Sequence, residues 1–273
     1  MAMAMNGRFA CAALLAGLAL CAGGMVRGAD GAAQGEARVG AAVVDDDDGG
    51  GVRVHEVTSP YQRGTTEIRV LLPDALDKAR RYPVVYVLPV EAGRERRYGD
   101  GLEEVRRRDL ANEHGAIFVA PTFTDLAWYA DHPTDEALRQ ETYFLDVVVP
   151  AVDARYPTVA TKEGRLLLGF SKSGWGAWSL LLRRPDLFGR AAAWDAPLEL
   201  ERSGPYGSGA IFGTQENFAK YELGPRLEAR AELLKGAPRM GFTRRCTRNW
   251  NVSGSRTSIR TVRRGYTRGR AVG

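Results

Sequence analysis

"GRLLLGFSKSGWGAW", Gly164 to Trp178, decides how the rest of the chain is read. A run of apolar residues ends in Gly169-Phe170-Ser171, and small and apolar residues at helical spacing follow at once. A serine nucleophile is presented in this way, on a strained turn between a strand and a helix. The two backbones approach closely there, so the residues on either side of the serine must be small. Gly169 and Gly174 meet that need, and Ser173 stands where the G-x-S-x-G pattern has its last glycine, a conservative departure because serine is also small. Ser171 is the expected nucleophile.

Outward from this stretch, strands and helices alternate. "VRVHEVTS" (Val52 to Ser59) and "TTEIRVLLP" (Thr65 to Pro73) read as two strands joined by the turn "YQRG". "YPVVYVLPV" (Tyr82 to Val90) and "AIFVAP" (Ala116 to Pro121) are near-continuous apolar runs, as in strands buried on both faces. A helix is expected from about Gly101 to Glu113, capped by His114-Gly115. Another runs from Pro133 to about Ala154, with Pro150 interrupting it. "FGRAAAWDAP" is a strand after the serine helix. The spacing predicts an α/β fold, a mostly parallel sheet with helices on both faces, whose working groups lie in loops beyond the carboxyl ends of the strands.

At 273 residues and 44% hydrophobic content, the chain is long enough for one such domain. Residues 1–29, with Arg8 ahead of "FACAALLAGLALCAGG", read as an export signal rather than a stable membrane span, and Cys21 marks a less favoured lipoprotein site. The expected location is therefore outside the cytoplasm. Cys11 and Cys21 fall in that signal, which leaves Cys246 without an internal disulfide partner. Residues 30–51, Ala/Gly-rich with the acidic run Asp45 to Asp48, read as a disordered linker rather than a metal site. The domain is expected over 52–240, with a separate tail over 241–273. Residues 233–273 hold eleven of the 38 Lys/Arg and no Asp or Glu, leaving 27 basic against 33 acidic residues before them, a net −6. Positive charge confined to the tail argues against nucleic acid as the partner.

From Tyr82 to Leu198 the chain resembles the esterase family of α/β-hydrolases that includes feruloyl and acetyl xylan esterases and S-formylglutathione hydrolase. "YPVVYVLPV" resembles the strand before the oxyanion loop, "ETYFLDVVVPAVDARYP" the helix before the elbow, and "GFSKSGWGAWSLLLRRPDLFGRAAAWDAP" the elbow, its helix and the next strand. The resemblance implies a carboxylic ester substrate, no cofactor and no metal. It assigns one oxyanion donor to the backbone N–H of Lys172 and the other to Val90 or Glu91, because Pro89 has no N–H to give.

Three departures from the family stand out. Pro89-Val90 occupy the place of its usual His-Gly. Lys172 puts a cation beside the serine, either favouring an acidic substrate or lying outward in solvent. The third is the general base, a histidine that the family takes from near its C-terminus, whereas His55, His114 and His132 all precede Ser171. His55 reads as a strand surface residue and His114 as a helix-terminal residue stabilised by the dipole. His132, in "WYADHP", is the one candidate for a substitute base. Asp195 is either the triad acid or a local cap.

Past Met240 the acid-free, arginine-rich sequence looks like a reading-frame change or a truncation, and it falls where the family's last strand, acid and histidine belong. The sequence therefore predicts a serine esterase of weak or no activity, in a fold incomplete at its C-terminus. The alternative is a non-catalytic protein binding a carbohydrate or aromatic ligand through Trp128, Tyr129 and Trp194. Trp128, Tyr129 and His132 are also the expected substrate contacts.

Overall fold

The apolar runs and the alternating segments become β2 (Val52–Thr58), β3 (Thr65–Leu71), β4 (Val84–Val87), β5 (Ile117–Pro121), β6 (Arg165–Phe170) and β7 (Arg190–Trp194), and an unexpected strand, β1 (Arg38–Asp45), precedes them. A computed structural model, which describes residues 36–45 and 51–229, joins them in one sheet of order β1-β2-β3-β5-β4-β6-β7. The strands up to β3 pair antiparallel, as does β3 with β5, whereas β5-β4-β6-β7 are parallel. The sheet is thus mixed, and its parallel half carries the serine turn.

The helices are α1 (Gly101–Arg107), α2 (Leu110–His114), α3 (Gln140–Thr142), α4 (Val149–Arg155), α5 (Lys172–Arg183), α6 (Gly209–Phe212), α7 (Gln215–Ala219) and α8 (Leu223–Ala229). Residues alternate across each strand, so Tyr86, Val119 and Leu167 face one way and pack with Phe144, Val148 and Leu180. Val87, Phe118 and Ala120 face the other way and pack with Leu102, Val105 and Ala111. Helices therefore cover both faces, as the alternation of segments predicts.

Local chemistry modifies four of the expected elements. The helix over 101–113 is broken at Asp109, which takes φ 54, and ends on left-handed Gly115 as expected. The helix expected from Pro133 begins only at Gln140, because residues 131–139 form a loop stitched by hydrogen bonds from Asp135 N–H to His132 Nδ1 and from His132 N–H to Leu138 C=O. The interruption expected at Pro150 is a π-turn over Tyr143–Val148, with Val149 N–H reaching back to Phe144 C=O.

The fourth is a correction to the linker. Arg38–Asp45 is not an unstructured segment but an edge strand paired with β2, so order there comes from backbone hydrogen bonding and not from a core of its own. A register shift between Val39 and Ala42 brings the Gly40 carbonyl to His55 Nδ1 at 2.9 Å. The histidine's other nitrogen meets Tyr156 Oη at 2.8 Å. His55 is therefore buried, 4% exposed, and not at the surface. The expected signal, residues 46–50 and the tail all lie outside the described residues. Among those described, no helix is long and apolar enough to cross a membrane.

Candidate active site

Strand β6 ends at Phe170 and helix α5 begins at Lys172, leaving Ser171 alone to turn the chain, at φ 52 and ψ −122. Such a conformation costs a non-glycine residue about 1–3 kcal/mol and persists only where its surroundings impose it. Here they do. Ser171 N–H donates to Trp194 C=O (3.1 Å) and Trp175 N–H to Ser171 C=O (3.1 Å), fixing the turn to β7 on one side and α5 on the other. A Cβ on Gly169 would lie 2.2 Å from Ser173 O, and one on Gly174 would lie 2.9 Å from Ala196 Cβ. The close approach that the sequence pattern implied is real at both glycines.

Ser173 does more than stay small. Its hydroxyl accepts from Phe170 N–H and donates to Phe170 C=O, both at 2.9 Å, and the residue is wholly buried. Removing it gives the turn back the freedom of a glycine and leaves two polar backbone groups without these partners. Ser173→Gly is expected to lower stability by about 1–2 kcal/mol in urea unfolding. A loss near zero would show that the hydroxyl does not hold the turn.

Facing the turn is the loop after β4. Tyr129 Oη donates to Pro89 C=O (2.8 Å), and Gly93 N–H donates to Phe123 C=O (2.7 Å), so the loop is tied at both ends. Between these ties lie Val90 and Glu91, whose amides, like that of Lys172, have no backbone acceptor among the described residues. The Lys172 side chain is not outward in solvent: Nζ lies 4.0 Å from Glu91 Oε1, the two side chains being 12% and 11% exposed. Because α5 packs on the Gly169 side of β6, Phe170 points to the opposite face. A cavity of about 280 Å³ opens there, lined among others by Pro89, Glu91, Tyr98, Phe170 and Trp194. Phe170 and Trp194 pack in a tilted pair with ring centres 5.7 Å apart, and Trp194 is 45% exposed.

Two of the expected substrate contacts must be corrected. Trp128 and Tyr129 are fully buried and do not line this cavity. Gln140 Oε1 accepts from both of their amides (2.8 and 3.1 Å), which folds this loop inward. Trp128 then packs edge-on to Trp175, and the Tyr129 ring fills the space at Gly176, where a Cβ would sit 2.1 Å from it. Burial holds the Tyr129 phenol protonated, its pKa well above the usual value. Of the three aromatics named for a ligand, only Trp194 reaches the cavity.

His132 is no better placed as a base or a contact. Its Nδ1 is occupied as an acceptor from Asp135 N–H, and its Nε2 lies against Gly213. His114 ends α2 with an exposed side chain, as read from the sequence. None of the three histidines lines the cavity, and neither do Ser171, Lys172 or Asp195, whose neighbours Phe170 and Trp194 form its wall. Asp195 follows β7 at φ 52, exposed, beside the residue that receives the Ser171 amide.

The sequence reading missed the Tyr129 tie to Pro89, the Ser173 hydroxyl and the ion pair of Arg69 with Asp100. That pair is 2.6 Å long, buried under the cavity, with Asp100 also capping α1 through Leu102 and Glu103 N–H. An Asp one residue ahead of a helix start was the available signal for the cap. Its cation, thirty-one residues upstream, left none.

The parallel half-sheet, the strained serine between strand and helix, and helices on both faces define an α/β-hydrolase fold. The family model described as "Putative esterase" matches residues 59–232, well over half of the chain, and the protein belongs to that esterase family. A curated relative, Esterase Rv1288 of Mycobacterium tuberculosis, is 28% identical over 146 residues, 50% of this chain and 30% of its own length. The chain thus matches less than a third of that longer relative. Among solved structures it is similar to an S-formylglutathione hydrolase from Agrobacterium tumefaciens, with TM-score 0.57, 16% identity, and 75% of this chain and 78% of that one covered. It is also similar to the fluorophosphonate-binding serine hydrolase FphF of Staphylococcus aureus, with TM-score 0.54, 19% identity, and 71% and 78% covered. At these identities the two structures speak for the fold, which is the fold and family that the sequence around Ser171 implied.

Proposed function

We propose that the protein is an exported esterase that cleaves carboxylic esters through an acyl-enzyme on Ser171, and that this chain lacks its general base. The observation that carries the reading is Ser171 held at φ 52 between Gly169 and Gly174, at the carboxyl edge of the parallel strands. In the reaction, Ser171 Oγ attacks the ester carbonyl carbon and gives up its proton. The tetrahedral oxyanion is met by the amides of Lys172 and of Val90 or Glu91, and the alcohol departs with a proton. Water then attacks the acyl carbon, releasing the carboxylic acid and restoring the serine. Asp195 is the proposed triad acid.

No histidine follows Ser171 in the sequence, and the three that precede it are engaged elsewhere. Loss of one triad member leaves only oxyanion and binding catalysis, so turnover by this chain is expected to be weak. A fluorophosphonate probe, which needs only a nucleophilic serine, tests the reading without demanding full turnover. It is expected to label the wild-type chain slowly and Ser171→Ala not at all. Equal labelling of the two would remove the esterase reading in favour of a ligand-binding protein using the exposed Tyr98 and Trp194.

A further inference from the structure

The two segments that supply the proposed oxyanion donors are joined by one ion pair. Lys172 stands directly after the nucleophile at the start of α5, and Glu91 stands in the loop after β4, so their contact at 4.0 Å spans the gap between the two backbones. Both side chains are nearly nine-tenths buried. A lone ammonium or a lone carboxylate at that depth would be poorly solvated, which makes each side chain depend on the other for its position. Among the described residues the loop is also tied at Pro89 by Tyr129 and at Gly93 by Phe123, with Glu95 N–H donating to Ala92 C=O just beyond. The stretch between them, which carries the candidate amides, has the Glu91 side chain as its tie to the elbow.

We propose that Lys172 and Glu91 are positioning residues: their ion pair clamps the loop to the elbow so that amides of both segments face one point, and Glu91 withholds the Lys172 charge from the substrate. This rests on the esterase reading for its second half only. The clamp requires that the loop loosen when either charge is removed. The withheld charge requires that acyl groups be sorted by charge. With the pair intact Lys172 offers no unpaired charge to the acyl group, against the constant background of the Arg69, Arg94 and Arg96 side chains lining the cavity. Removing the carboxylate frees an ammonium beside the reacting carbonyl, which then attracts an anionic acyl group. Removing the lysine leaves a carboxylate that repels it.

The test uses the full chain with the near-isosteric variants Glu91→Gln and Lys172→Met, and Lys172→Arg as the conservative control. Hydrogen exchange followed by NMR reads the clamp without any need for catalysis, through the Gly93 amide bonded to Phe123. That amide is expected to exchange about tenfold faster in Glu91→Gln and Lys172→Met and at the wild-type rate in Lys172→Arg, with α5 amides unchanged in all four proteins. Unchanged Gly93 exchange in the first two variants would overturn the clamp. Hydrolysis of p-nitrophenyl acetate and p-nitrophenyl hemisuccinate, corrected by Ser171→Ala, reads the charge. The acetate to hemisuccinate ratio of kcat/KM should fall about tenfold in Glu91→Gln and rise in Lys172→Met. A purely structural role would slow both esters alike and overturn the charge argument. Absence of Ser171-dependent fluorophosphonate labelling would count against the esterase reading, and the exchange result would still decide the clamp.

Discussion

Hydrolysis of p-nitrophenyl acetate is expected to rise by about a thousandfold when the segment beyond Met240 is replaced by the one encoded in another forward frame of the same nucleotide sequence. That frame is expected to hold a histidine, mixed charge and alternating apolar residues. The case for it comes from three directions. Residues 233–273 carry eleven basic and no acidic side chains, unlike the mixed charge before them. The family match ends at residue 232, just ahead of this shift. Among the described residues β7 is the last strand of the sheet, with Ala191 and Ala193 buried but Ala192 and Trp194 exposed. An edge of this kind invites association, so the restored protein should also be less prone to self-assemble in light scattering. No histidine-bearing segment in either frame would defeat the proposal.

Asp100→Ala is expected to cost about 3–5 kcal/mol, because it strips the buried Arg69 guanidinium of its carboxylate and uncaps α1. The joint replacement Arg69→Met/Asp100→Leu should recover most of this, since two apolar side chains of similar size need no charge partner. Equal losses in the single and double variants would mean that the cap, not the charge, is what matters. The pair also fixes an acid limit. Burial alone would raise the Asp100 pKa, but Arg69 and the Leu102 and Glu103 amides outweigh it and hold the carboxyl below its ordinary value. The stabilisation is therefore complete above about pH 4, where the unfolded carboxyl is already ionised, and disappears as the pH falls through the lower native value. The Tm difference between wild type and Asp100→Asn should be full at neutral pH and vanish in strong acid.

What could be read from the sequence was whatever one segment settles by itself. β4 and β5 are apolar throughout and β6 is apolar after Arg165, because these strands lie inside the sheet, and Gly169 is demanded by a contact with Ser173 four positions on. What could not be read depends on partners far along the chain. β1 owes its order to β2, and its Ala/Gly-rich composition gave no hint of it. Trp128 and Tyr129 look like exposed loop aromatics until Gln140, twelve and eleven residues on, draws their backbone inward. Lys172 was undecided between solvent and substrate because its carboxylate lies some eighty positions away.

The strand order also has a consequence in time. β3 is followed in the chain by β4, but its neighbour in the sheet is β5, so its free side stays open until residues from Ile117 onward have been made. At about 5–20 residues per second, that interval lasts seconds during synthesis. Throughout it β3, with Ile68, Val70 and Leu71 at its apolar end, offers unpaired backbone to any other nascent chain nearby. β5 ends the exposure on both sides at once, since it closes β3 and receives β4 in a single insertion. The ribosome-bound chain is thus most vulnerable to mispairing before its candidate nucleophile has been translated, and any helper that shields it must act on the first hundred or so residues.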